Sequence, residues 1–143
     1  MKLQTNDYTC GPVSLINAYY DKNKKYPRVT TRSLSYQCNT TESIGTYRWN
    51  LKKNTILSLP KETYQMNKIM SMKNFILLYS FEKDYAHYVF VKKQNKSYFI
   101  FNYCDTETND YKNIEMSAND FEDLLRKCSR IKEFDYPVAW EIL

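Results

Sequence analysis

The run Asn74-Phe-Ile-Leu-Leu-Tyr-Ser-Phe81 constrains this chain more than any other stretch. It is short and almost wholly apolar, the pattern of a central strand covered on both faces. Two β-branched and aromatic segments follow, residues 87–92 and 97–103, separated by Lys93-Gln-Asn-Lys96. They read as a hairpin. Residues 138–143 supply a last strand. Helices are expected over residues 11–21, 31–38 and 47–53, with Thr46 as cap of the third. A fourth opens at Pro60 and runs to about Met72, with Tyr64, Ile69 and Met70 inward. Residues 54–60 are ambiguous, with a short strand at Ile56-Leu57 as one reading. Residues 105–113 read as a polar loop. Ser117-Ala-Asn-Asp120 opens a helix that carries Phe121, Leu124, Leu125 and Cys128 on one face. Early helices and late antiparallel strands predict an α+β fold, one domain over residues 1–143.

Composition removes several function classes. Two glycines in 143 residues leave no material for a Gly-rich phosphate loop. The net charge of +5 comes from dispersed lysines, so no basic arm exists and no specific nucleic-acid partner is expected. No stretch approaches the length of a membrane span, and the N-terminus lacks the apolar core of a signal peptide. The expected location is a reducing cytoplasm, the host's if the chain is viral. Cys10, Cys38, Cys104 and Cys128 are widely spaced, with no Cys-x-x-Cys pair. With a single histidine they form no ordinary zinc set, and all four are expected as free thiols.

Cys10 stands apart from the other three. In Gln4-Thr-Asn-Asp-Tyr-Thr-Cys10-Gly11-Pro12 it is delivered to the first turn of an apolar helix. Gly11 permits close approach, and Pro12 suits a first helical turn. A thiol there meets unpaired backbone donors and the positive end of the helix dipole, which favours the thiolate. His87 is the only histidine, hence the only ordinary proton shuttle at neutral pH. If the hairpin loop holds two residues (Gln94-Asn95) or four, His87 pairs directly with Asn102. That sets an amide beside the ring as orienter. An odd loop breaks that register and makes Asp105 the next candidate. Gln4, six residues before Cys10, has an amide that can serve a developing oxyanion together with the Cys10 N–H.

Gln4, Cys10-Gly11-Pro12, His87 and Asn102 resemble the ordered site of papain-like cysteine peptidases. The resemblance is closest to the compact branch that cuts double-glycine leader peptides from bacteriocins. It spans about residues 1–105 and includes Gly45-Thr46, similar to the Gly-Thr that opens a later helix in that branch. It implies a papain-like fold, N-terminal helices packed on a C-terminal antiparallel sheet. It also implies a small stand-alone thiol hydrolase that cuts an amide bond in a peptide or protein through a thioester. No metal or organic cofactor is required. Two departures stand out. Many members follow the last triad position with Pro, whereas Asn102 precedes Tyr103-Cys104-Asp105, which leaves Asn102 and Asp105 both open. The chain also carries none of the transporter domains that accompany the bacteriocin-processing enzymes, so export is not implied. The same fold hosts amide- or acyl-transfer enzymes, deubiquitinase-like enzymes and binding modules with the chemistry unused. Trp49 and Tyr88 are candidate cleft walls. Compactness and a Lys/Asn/Tyr-rich composition hint at a virus or mobile element. The sequence fixes no oligomeric state.

Overall fold

The computed structural model describes residues 1–82, 85–129 and 136–143. Helix α1 spans Cys10–Asn23 and α2 Thr31–Gln37; a 3-10 helix covers Arg48–Lys53 and α3 covers Met66–Ser71. Strands β1 (Asn74–Glu82), β2 (Tyr85–Gln94), β3 (Ser97–Asp105) and β4 (Asp110–Ser117) follow. Then come α4 (Ala118–Ser129) and β5 (Val138–Glu141). The five strands form one sheet in the order β4-β3-β2-β1-β5, and neighbouring strands are antiparallel. The α+β architecture is the one expected.

The apolar run is the middle of this sheet, and its side chains divide by parity. Ile76 and Leu78 face α1, packed with Leu15, Ile16, Tyr88, Phe90 and Trp140. Phe75, Leu77 and Tyr79 face α4, packed with Val89, Val91, Ile100, Phe121 and Leu125. A strand covered on both faces has no polar side to display, which is why the run shows no alternation. Helix α1 is buried all round from Cys10 to Ala18, as expected of a helix in the interior. Each fully buried aliphatic side chain such as Leu15 stabilises by roughly 1.5–3 kcal/mol.

Several local expectations fail. Residues 110–117 form β4, an edge strand that takes in residues 110–113 of the expected 105–113 loop; its residues are exposed or half-buried, so no apolar face marks it. The fourth helix begins at Met66 rather than Pro60, and Tyr64 lies outside it, 42% exposed. The third helix is 3-10, and its N-cap is Tyr47, not Thr46. Among the described residues, Ile56-Leu57 is not a strand.

The hairpin register also differs. Val91 pairs with Ile100 and Gln94 with Ser97, so the turn is Asn95-Lys96, with Asn95 at φ 56°. Asparagine tolerates that left-handed geometry better than most residues. Relative to the expected pairing, β3 slips by two residues, which preserves which face each side chain takes. Continued without interruption, this register would set Val89 opposite Asn102, not His87.

Candidate active site

Helix α1 begins at Cys10 itself. Thr9 occupies the N-cap position without a capping bond. Its hydroxyl instead donates to Asn6 Oδ1 at 2.8 Å, and that oxygen also accepts the Tyr8 N–H at 3.3 Å. The loop thus folds on Asn6, and the first N–H groups of α1 are left without a side-chain cap. The backbone N–H groups of Tyr88, Gly11 and Cys10 favour a thiolate at the Cys10 sulfur, but burial outweighs them and pushes the thiol up to about 11. The thiolate expected from the helix start is therefore not the resting form. Desolvation penalises the charge more than the donors reward it.

Gly11 is required by its neighbour. A Cβ there would lie 2.7 Å from Thr46 Oγ1 and 3.0 Å from Thr46 Cβ. Thr46 is held in turn by a 2.6 Å hydroxyl bond with Thr40, and its carbonyl accepts from the Tyr88 hydroxyl at 2.8 Å. Rather than capping a helix, Thr46 clamps the start of α1 against β2. Sequence reading placed Thr46 in a motif but missed this contact.

The parting of two strands supplies the rest of the site. The described β2–β3 ladder runs from Gln94/Ser97 to Phe90/Phe101. The β3–β4 register shifts between Ile100 and Tyr103, and Asn102 takes φ 68° in that bulge. Bulges of this kind re-aim backbone groups. Here the Asn102 carbonyl comes to lie 2.6 Å from His87 Nε2. A carbonyl only accepts, so Nε2 carries the hydrogen and Nδ1 keeps the lone pair. Tyr79 meets the His87 ring edge-on with centroids 5.9 Å apart, and Tyr111 stacks on it at 5.8 Å. His87 is 1% exposed. Burial lowers its pKa from 6.5 to about 4, although the Asn102 carbonyl pulls the other way. Among the described residues no hydrogen bond joins the Cys10 sulfur to this ring; such bonds often tighten only when substrate binds.

The side chain of Asn102 does not hold the imidazole. Its Nδ2 donates to Gln4 Oε1 at 2.6 Å, and its Oδ1 accepts the Gln4 backbone N–H at 2.9 Å. Gln4 Nε2 donates to the Asn6 carbonyl at 2.7 Å. Asp105, the other candidate orienter, is engaged elsewhere. Its carboxylate pairs with Lys112 at 2.8 Å and accepts the Glu107 N–H at 3.0 Å. Lys112 holds that carboxyl below its ordinary range.

Cys10 borders a cleft of about 600 Å³. Tyr8, Thr46, Tyr47, Trp49 and Tyr88 line it, so both expected wall residues are present. Trp49 is 55% exposed and stacks on Tyr47 with centroids 4.5 Å apart. The Arg48 guanidinium lies 5.8 Å from the Trp49 ring. Cys38, Cys104 and Cys128 are free and buried. Among the described residues no group of three or more His, Cys, Asp or Glu side chains could hold a metal ion. No described helix is long and apolar enough to cross a membrane.

No protein-family model matches the chain, and no curated protein sequence matches it. A solved structure does. The peptidase domain of Streptococcus ComA, a bi-functional ABC transporter involved in a quorum-sensing pathway, superposes with a TM-score of 0.61. The match covers 85% of this chain and 88% of that domain at 20% sequence identity. The resemblance drawn from Gln4, Cys10-Gly11-Pro12 and His87 and the match in three dimensions arrive at the same architecture. This chain has the fold of a papain-like peptidase domain.

Proposed function

We propose that the chain is a cysteine peptidase, with Cys10 as nucleophile, His87 as base and the Asn102 carbonyl as orienter. The observation that carries this reading is the start of α1. Its thiol opens on the cleft, backbone donors surround the sulfur, and the strand bearing the only histidine passes alongside.

At neutral pH both partners are uncharged, because burial raises the thiol and lowers the imidazole. The proton therefore moves as the bond forms, not beforehand. His87 Nδ1, the nitrogen not committed to Asn102, takes the Cys10 proton while Sγ attacks an amide carbonyl. The oxyanion is held by the Cys10 N–H and a Gln4 amide hydrogen. His87 then protonates the leaving amine, and water releases the acyl group from the thioester. The substrate is an extended peptide or protein segment, laid against the exposed, stacked rings of Tyr47 and Trp49. No cofactor enters the cycle.

The test needs no known substrate. Iodoacetamide alkylation of each cysteine is followed against pH by mass spectrometry, in wild type and His87→Ala. Cys10 is expected to react fastest of the four near neutral pH and to slow by roughly 10²-fold or more without His87. A Cys10 that reacts no faster than Cys38, Cys104 and Cys128, and ignores His87→Ala, overturns the reading.

A further inference from the structure

We infer that Asn102 is a positioning residue for both halves of the chemistry: its carbonyl holds the base His87, and its side-chain amide aims the oxyanion donor Gln4. The inference rests on the cysteine-peptidase reading above. Gln4 and Asn102 are 98 positions apart and are joined by two hydrogen bonds in a buried setting, 5% and 0% exposed. The Gln4 side chain has no freedom to flip. Its oxygen faces the Asn102 amide donor, and one of its two N–H hydrogens faces the Asn6 carbonyl. A flipped amide would set donor against donor and carbonyl against carbonyl. The second hydrogen on Gln4 Nε2 is therefore fixed in direction.

Asn6 extends the chain of contacts, since its side chain binds Tyr8 and Thr9, the residues just before the nucleophile. A carboxylate at position 102 would still accept the Gln4 backbone N–H but could not donate to Gln4 Oε1. The Gln4 amide would then turn its NH₂ toward position 102, and the oxyanion would lose that hydrogen. The His87 contact would survive, because it uses the backbone.

Two reactions of Cys10 separate these effects. Acylation by p-nitrophenyl acetate passes through an oxyanion: sulfur adds to the ester carbonyl, nitrophenolate leaves, and a thioester remains. Alkylation by iodoacetamide displaces iodide with no oxyanion. Asn102→Asp is expected to slow acylation by about 10²-fold, the usual loss for one oxyanion donor, with His87-dependent alkylation retained. Gln4→Ala should show the same split, and the double variant should be no slower than either single, as expected of groups acting as one unit. Asn102→Gly guards against misfolding, because glycine takes φ 68° without strain and keeps the carbonyl; it should show the split too.

Wild-type acylation rates in Asn102→Asp and Asn102→Gly would overturn the inference. So would parallel loss of both reactions, or single effects that multiply in the double variant. If wild-type Cys10 is acylated no faster than Cys38, Cys104 or Cys128, the peptidase reading itself falls and takes the inference with it.

Discussion

Helices α1 and α4 pack on opposite faces of one sheet and begin in opposite ways. At the start of α4 the Ser117 hydroxyl accepts the Asp120 N–H at 3.2 Å, and Asp120 adds an acid to the first turn. Phe121, Leu125 and Cys128 are buried, while Asn119, Asp120, Arg126 and Lys127 are exposed. The start of α1 has no side-chain cap and no acidic residue in its first turn, and it is buried on every side. One helix start is satisfied and inert. The other has no side-chain cap and turns backbone N–H groups toward the Cys10 sulfur. Capping contributes stability, so an uncapped, buried start forgoes a contribution that α4 has; on the proposed function, those free N–H groups serve the chemistry of Cys10.

The largest consequence is a pH dependence centred on His87, which pairs with Tyr79 of β1 and meets its ring. His87 has a folded pKa of about 4 against an ordinary value of 6.5. As pH falls through 6.5 the unfolded chain takes up the proton first, and the native protein resists until about pH 4. Stability from this group is thus complete above pH 6.5 and is lost as pH falls toward 4, by about 3 kcal/mol in all. Urea melts across that window check it. His87→Gln, which still donates to the Asn102 carbonyl but does not titrate, should flatten this part of the acid limb. An acid limb that Gln leaves unchanged would show that His87 titrates normally, and that its surroundings are not the dry site described.

A smaller effect probes the contact between α1 and Thr46. Gly11→Ala forces a Cβ to within 2.7 Å of Thr46 Oγ1. It should cost roughly 1–3 kcal/mol, the usual range for overpacking. Thr46→Ala removes the nearer atom, so the double variant should be destabilised by less than the two singles together. The matching change on α4, Asn119→Ala, sits on an exposed first turn and should stay within about 0.5 kcal/mol of wild type. Equal losses at Gly11 and Asn119 would erase the contrast between the two helices.

What the sequence revealed follows the same division. The central strand, the hairpin and α4 were legible because burial writes itself into local patterns: an apolar run, β-branched clusters, a capped amphipathic face. Gln4, Cys10 and His87 were legible as residue types suited to one chemistry. Strand β4 was not, because a half-exposed edge strand has little apolar pattern, and Tyr111 stayed hidden with it. The direct pairing expected of His87 with Asn102 does not form; the ring meets the Asn102 carbonyl instead. The outcome turned on which two residues form the turn and on a bulge beside β4, a strand whose first residues were read as part of a loop. The bonds between Gln4 and Asn102 span 98 positions, beyond any local spacing rule. The Cys10 pKa was misjudged because a helix start is visible in sequence and the burial around it is not.

The smallest effect tests whether cap and chemistry are separate. Ser117→Ala removes the hydroxyl that accepts the Asp120 N–H and should cost about 1 kcal/mol, the typical value of an N-cap. The start of α4 lies across the sheet from the cleft, and Ser117 pairs with Ser97 near the hairpin turn, not at the bulge by Asn102. Its loss should therefore lower the urea midpoint while the alkylation rate of Cys10 and its dependence on His87 stay put. Stability and reactivity would then be shown to reside at different helix starts. If alkylation of Cys10 instead shifts with Ser117→Ala, the sheet transmits the state of one helix start to the other. The two ends would then have to be treated as one coupled unit.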